Sequence, residues 1–541
     1  MHISLVFITI CLSIISTSIM SYITLATPIG PWIAPTLVLI GTLLVRATGL
    51  RGKKYSDGVA LVTAGGSIGG ILATAFGFSF PTLFFLNPDL FAQWLSQPLF
   101  FGAVLSGLAF SGGMLGLLIA DLFEQQMIVK DELPFPVGQL VYKLIAAQNQ
   151  ARKALELLAG GTASLIFTIL QTGLWKVKAV VPSTVTLLNA RLFGPIAFPL
   201  IRMRFDILPM LFAIGFISGS LVAIPLLVGA LSRIGIMEPI NRLFFSQLGG
   251  NDFLLAFGSG MIAIGAVQSF IELPKMLHRW FKKVRITGSR ESILPEEIYL
   301  LIKQRAHIIQ AIITFTLIVC FLTYFKFSIF SQLYLIILSF ICAYQIAVIA
   351  GEFGLAQLGR FATWVMVPAM FLFGVNPIHL TIISTFVEIC GGVTTDILFG
   401  RKIGHLAELN KTELRRYQML GIVISSITVS VVFWLLITRF GLSNGGPLSA
   451  GRAGGRALLI NATHFDMYVL AIGALFGFVL KKLKLNPMLV LGGVLMPLDY
   501  SIGLILGGCF SFIVKDRSQW EPFWSGVFAA NSITELIKTL I

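Results

Sequence analysis

The chain has 541 residues, of which 56% are hydrophobic and only 12% charged, and its mean hydropathy is +0.90. Soluble domains carry about 25% charged and 45–50% apolar residues, so a water-soluble domain of this length is excluded and lipid is the expected solvent. A net charge of +15 would point to nucleic acid in a soluble protein. Here it is accounted for by the Lys and Arg excess that membrane proteins place in cytoplasmic loops. The five cysteines, Cys11, Cys320, Cys342, Cys390 and Cys509, all fall in apolar runs. They lack pairing or metal-type spacing and read as small buried apolar residues.

A spanning helix needs about 20 mostly apolar residues. In chain order the candidate spans are 2–26, 30–48, 57–80, 98–123, 154–176, 206–235 and 252–273. After a basic loop come 307–326, 329–351, 361–375, 377–399, 415–440, 466–481, 485–498, 500–515 and 519–538. Residues 2–26 lack a basic leader and a small-residue cleavage site, so they read as a first span rather than a removed signal peptide. The expected fold is an all-α polytopic helical bundle of about 16 transmembrane helices. It forms one membrane domain over 1–541, with approximate halves 1–274 and 307–541 joined by a basic cytoplasmic loop at 275–306.

Orientation follows from the basic clusters, which favour the cytoplasm. These are Arg46, Arg51, Lys53 and Lys54; Lys143, Arg152 and Lys153; Lys275, Arg279, Lys282, Lys283, Arg285 and Arg290; Arg401, Lys402, Arg415 and Arg416; and Lys481, Lys482 and Lys484. An even number of crossings must separate successive clusters. Between Arg152 and Lys275 this requires the segment 180–204 to supply a partial crossing. The N-terminus is then cytoplasmic. Paired glycines such as Gly65-Gly66, Gly69-Gly70, Gly391-Gly392 and Gly507-Gly508 read mostly as close helix contacts, with some marking breaks.

Charge inside a membrane is costly, about 3 kcal/mol or more at the centre, and is a functional hypothesis by default. Glu352 ends the run LIILSFICAYQIAVIAGE, with Gln345 two turns earlier on nearly the same face. Glu388 lies within TIISTFVEICGG, and Asp396 follows eight residues later. Glu272, with Gln268 one turn before it, Asp121, Glu124 and Asp499 read equally well as helix-end groups. Two segments look broken or re-entrant. They are Asp131-Glu132-Leu133-Pro134-Phe135-Pro136-Val137-Gly138-Gln139-Leu140 and Gly351-Glu352-Phe353-Gly354-Leu355-Ala356-Gln357-Leu358-Gly359. Each places an acid, then Gly or Pro breakers, then Gln-Leu. Non-helical backbone at membrane depth needs a protein or cavity cover, and matching breaks in two parts of a chain point to a transporter site. The two are expected to face one central cavity.

At these segments the chain resembles the oligopeptide transporter family, which includes the Yellow Stripe-like metal-chelate transporters. Leu133-Pro134-Phe135-Pro136-Val137-Gly138 is similar to its L-P-F-P-x-G stretch. Gly351, Glu352, Gln357, Leu358 and Gly359 match its G-E-x-x-x-x-P-x-x-Q-L-G stretch, shortened and without the proline. Asp396, Lys402 and Gly404 match D-x-x-x-D-L-K-T-G, with Gly400 in place of the second acid. Pro487-Met488-Leu489-Val490-Leu491-Gly492-Gly493 and Met496-Pro497-Leu498 resemble its C-terminal signature. The resemblance covers residues 57–541. It implies a prokaryotic-type member in a bacterial inner (plasma) membrane, importing small peptides or metal-chelate complexes, usually coupled to protons.

No G-x-x-x-x-G-K-[ST] loop occurs, so ATP is not the expected energy source. Ion coupling is, with Glu352, Glu388 and Asp396 as candidate proton carriers and Gln345, Gln357, Glu132, Gln139 and Lys402 as further site candidates. No cofactor, bound metal or nucleic-acid partner is expected. An intramembrane enzyme is the weaker reading, because there is no H-E-x-x-H pair and the six histidines are scattered. A transporter or channel for another small solute stays open.

Overall fold

A computed structural model of the protein describes residues 2–261 and 305–540, apart from 29, 31, 147–149, 173–180, 183, 191–200, 207–208, 249, 251–252, 255, 354–355, 444–446, 462–465, 486, 496–497 and 515–516. Among these, seven helices are long and apolar enough to cross a membrane: Ile3–Ala26, Lys53–Leu86, Pro98–Lys130, Ala223–Phe244, Ile329–Gly351, Pro377–Leu406 and Lys411–Phe440. Shorter apolar helices are Ala34–Ala47, Leu158–Gln171, Ile309–Tyr324, Leu358–Phe373 and Ile502–Ile513. The chain forms two compact units, each assembled from separate stretches. The first takes Met1–Thr17, Leu44–Ala146 and Gly265–Trp434; the second takes Ser18–Leu43, Ala147–Ile264 and Leu435–Ile541.

The first unit is built around one helix, Pro377–Leu406, in which every residue from Leu380 to Gly404 is buried. Its start is well specified. Pro377 occupies the first turn, and the Asn376 side chain accepts from the N–H groups of Ile378 at 3.0 Å and His379 at 3.2 Å. Helices Lys53–Gly66, Ile68–Ser79, Pro98–Glu124, Pro136–Ala146, Ile329–Phe353 and Leu358–Phe373 pack around it. Small residues allow that crowding: a Cβ on Gly392 would press on Ile71 at 2.8 Å, and one on Gly116 on the Cys390 carbonyl at 2.9 Å.

The second unit pairs helices across glycines. Pro209–Ser218 lies against Leu498–Ile513, and Ser220–Ser232 against Pro487–Leu495. A Cβ at Gly215 would collide with the Leu504 carbonyl, at Gly507 with that of Phe212, and at Gly229 with that of Val490. Helix Gln150–Thr172 packs on Arg517–Leu540. There Asn531 donates to the Thr168 hydroxyl at 3.3 Å and accepts from the Met210 N–H at 3.2 Å.

Three expectations are corrected. The segment 180–204 is not helical where it is described: Thr184–Ala190 and Ile201–Asp206 form an antiparallel two-stranded ladder, with Thr184 opposite Asp206, and 180, 183 and 191–200 lie outside the described residues. The β-branched run Thr184-Val185-Thr186 suits a strand, so the fold is helical but not all-α. The window 206–235 is not one helix. It divides at Gly219, whose φ of +62° breaks the helical backbone. Cys320 and Cys509 are exposed rather than buried, because an apolar thiol suits a lipid-facing surface as well as a core. Of the expected loop 275–306, residues 275–304 lie outside the described residues, as do Glu272 and Gln268, while Arg305 and Ala306 begin helix Arg305–Tyr324.

Candidate functional site

The central helix Pro377–Leu406 carries four charged side chains into the buried core of the first unit: Glu388, Asp396, Arg401 and Lys402, none more than 7% exposed. Asp396 accepts a hydrogen bond from the Ser67 hydroxyl at 2.7 Å, across 329 residues of sequence. Ser67 stands at the join between helices Lys53–Gly66 and Ile68–Ser79. At that join the Gly70 N–H bonds to the Ser67 carbonyl at 2.9 Å, one residue short of the α-helical partner. The Gly66 carbonyl, which an unbroken α-helix would pair with Gly70, accepts instead from the Ser16 hydroxyl at 2.6 Å. The paired glycines around Ser67 make this contact possible: a Cβ on Gly66 would press on Leu12 at 2.7 Å, and one on Gly69 on the Ser13 carbonyl at 2.6 Å.

The two segments expected to be broken are broken, and they touch. After Pro98–Glu124 the backbone widens into a π-helical turn, Gln125–Lys130, and then leaves helical geometry with Glu132 and Phe135 at φ +47° and +46°. Helix Ile329–Phe353 ends at the second segment, and Leu358–Phe373 begins after it. The Phe135 N–H donates to the Gly351 carbonyl at 2.7 Å. A Cβ on Gly351 would meet Leu133 at 3.0 Å and Phe135 at 3.1 Å. The same stretch seats on the central helix: Phe135 meets Phe399 edge-on at 5.8 Å, and a Cβ on Gly138 would lie 2.9 Å from the Phe399 carbonyl and 3.3 Å from the Lys402 Cβ. Three motif-bearing stretches of the sequence therefore converge around Phe399–Lys402.

Just beyond them the central helix is tied by charge. The Arg401 guanidinium donates to Asp121 at 2.7 Å, to Glu124, and to the Gln418 side chain at 2.8 Å. Arg415 donates to the other Asp121 oxygen at 3.0 and 2.9 Å and to Gln310. Gln418 in turn donates to the Ile397 carbonyl at 3.0 Å. Arg401 and Arg415 were expected in a cytoplasmic loop. They lie on helices, with Arg401 4% exposed and Asp121 5%. A charge following an apolar run reads as a loop charge until its partner, here 280 residues away, comes into view.

The other expected site residues are dispersed. Glu388 is fully buried two turns before Asp396. Gln345 is half-buried, Gln139 is half-buried, Glu132 is exposed with Lys402 as its electrostatic neighbour, and Gln357 is exposed and accepts from Arg360 at 3.4 Å. Glu352 closes its helix, and Asp499 lies in Leu498–Ile513; the side chains of both lie outside the described residues. Sequence reading missed Ser67, whose glycine-flanked position was taken for packing, and the hydroxyl-bearing face of helix Ile3–Ala26. Thr9, Ser13, Ser16 and Thr17 of that face are all fully buried. It also missed Arg456, fully buried on the short helix Gly451–Ile460 of the second unit.

Apolar spanning helices, backbone breaks at motif positions and charges buried between helices define an integral membrane protein with a polar centre. The chain belongs to the OPT oligopeptide transporter protein family, whose model matches residues 3–533. No curated protein matches it.

Proposed function

We propose that this protein is a secondary active transporter that imports small peptides or metal-chelate complexes in symport with protons. Family membership supports oligopeptide or related transport. The observation that favours ion coupling is the central helix, which holds Glu388 and Asp396 fully within the protein interior of a membrane-spanning element. Acids in such a place are retained when they relay charge. The non-helical stretches 131–135 and 356–357 supply irregular backbone of the kind a substrate cavity uses, and in this reading they line it together with Lys402, Gln139 and Gln357. In the same reading the N-terminus and the loop 275–306 are cytoplasmic.

The test is uptake into proteoliposomes of a panel of short peptides and metal chelates, with and without an inward proton gradient. Saturable accumulation above the equilibrium level, dependent on the gradient, is expected. Equilibration without accumulation would make the protein a channel or a uniporter. If Glu352 carried the coupled proton, Glu352→Gln, which keeps the side-chain shape and removes its titration, would abolish gradient-driven accumulation while leaving substrate exchange measurable. Normal accumulation by this variant would shift the coupling role to Glu388 or Asp396.

A further inference from the structure

The buried charges of the first unit do not cancel evenly. Arg401 and Arg415 are taken up by Asp121 and Glu124, and Lys411 reaches Glu124 at 3.3 Å. Lys402 has Glu132 as its neighbour. Asp396 is 2% exposed, and its hydrogen-bond partner among the described residues is a neutral hydroxyl, Ser67. An ionised carboxylate in that position, without a cation, costs more than one hydroxyl returns. Among the described residues no cation is paired with it, and the remaining solutions there are a bound proton or a bound cation.

The surroundings supply more oxygen than the fold uses. Thr63, one turn before Ser67 on the same helix, is fully buried, and its hydroxyl makes no hydrogen bond among the described residues. The same is true of Ser13, whose backbone lies against Gly66 and Gly69 on either side of Ser67. Two buried idle hydroxyls flanking a helix break and an acid are unusual, since buried polar atoms are ordinarily satisfied. Ser67 itself stays in right-handed helical geometry, at φ −67° and ψ −26°, so the oxygens offered here are those of side chains, the carboxylate and hydroxyls that small hard cations take as ligands.

We propose that Asp396 and Ser67, at the break between Gly66 and Ile68, form the site that takes up the coupled monovalent cation, a proton or Na+. This rests on the transport reading only for the word coupled; the binding itself does not. The charged and titratable groups on the packed elements leave the site to Asp396. Lys53 pairs with Glu408 at 3.5 Å, and Asp57 lies ten residues before Ser67 on the same helix. Tyr334 donates to the Val365 carbonyl, and Arg360 lies over the Trp364 ring. Cys11, Lys54, Tyr55, Tyr142, Cys342, Tyr344, Glu413, Arg416, Tyr417 and Arg439 are the other described titratable or charged side chains on the neighbouring helices, the side chains of Lys143 and Glu352 lie outside the described residues, and Glu388 and Cys390 lie two turns away on the central helix itself.

The test is carbodiimide labelling, which modifies protonated carboxyls in apolar surroundings. The full chain in liposomes is treated with dicyclohexylcarbodiimide from acid to alkaline pH in choline chloride, with NaCl or KCl added in parallel. The modified residues are then located by peptide mass spectrometry. Labelling of Asp396 is expected to fall as pH rises, which identifies a proton site, or to be suppressed at fixed pH by added Na+ and not by K+, which identifies a Na+ site. Ser67→Ala should shift the pH midpoint or the protecting cation concentration about tenfold, the scale of one hydrogen bond to a charged group. Asp396 labelling that is absent throughout, or unchanged by pH and by either cation, would overturn the proposal. Labelling requires no substrate, so a failure of peptide or chelate uptake leaves this result readable, and transport with an inert Asp396 defeats only this inference.

Discussion

The first unit secures its central helix with charge, whereas the second joins its helices by omitting side chains. In the first, Arg401 and Arg415 bridge Asp121 and Glu124 inside the protein, and the carboxamide of Gln418 closes the arrangement on the Ile397 carbonyl. In the second, glycines at 215, 229, 493 and 507 bring backbone against backbone, and no ion pair of comparable burial occurs among its described residues. The physical logic differs accordingly. Buried ion pairs fix one geometry and penalise its loss heavily, because a broken pair leaves a desolvated charge. Glycine contacts gain only dispersion, spread over many atoms, and let neighbouring helices slide or separate with smaller penalties. Glu388 and Asp396 sit in the unit whose central helix is tied by buried ion pairs.

That contrast can be broken most sharply at Arg401. Arg401→Leu should leave Asp121 and Glu124 buried with less than their full complement of cations, at a loss of roughly 3–5 kcal/mol. The loss is read from denaturant unfolding in mild detergent. A change within about 0.5 kcal/mol, the scatter of surface substitutions, would show that the network does not hold the helix. In the second unit, Gly507→Ala pushes a methyl into the Phe212 carbonyl and should cost about 1–3 kcal/mol, as overpacking does. Gly235→Ala meets nothing within 4 Å and serves as its silent control in the same assay. If both behave alike, glycine contact is not what joins these helices.

Smaller effects refine the comparison. Ser16→Ala removes the hydroxyl that satisfies the Gly66 carbonyl and should lower stability by about 1 kcal/mol. A larger loss would mean that the break at Ser67 depends on helix Ile3–Ala26. Lys411 is 70% exposed in its pair with Glu124. Lys411→Ala should therefore change stability by less than about 1 kcal/mol, and less still at high salt. An effect approaching that of Arg401→Leu would place the rim lysine in the network on equal footing with the buried arginines.

How much of this was legible beforehand depended on how local the signal was. The spans 2–26, 98–123 and 415–440 fall on helices Ile3–Ala26, Pro98–Glu124 and Lys411–Phe440, because a run of apolar residues about 20 long has one inexpensive arrangement in lipid. The breaks at 131–135 and 356–357 were legible for the same reason, since Pro and Gly restrict or free the backbone wherever they stand. The strand ladder at 184–206 was not, because hydropathy alone treats Thr184-Val185-Thr186 as apolar filler rather than as a β-former.

The sequence by itself determined that this chain lives in a membrane, where its longest helices run, where two of them break, and that Glu388 and Asp396 are buried acids on one of them. Each of these follows from residues within a turn or two of one another. Only the tertiary structure decided which charges were neutralised. Asp121 could have been a helix-end carboxylate and Arg401 a loop cation until packing set them 2.7 Å apart. Likewise, Ser67 was one small residue among glycines until its hydroxyl was placed on Asp396. Partner choice for a buried charge is set by distance through space, and no local pattern encodes a neighbour some three hundred residues away.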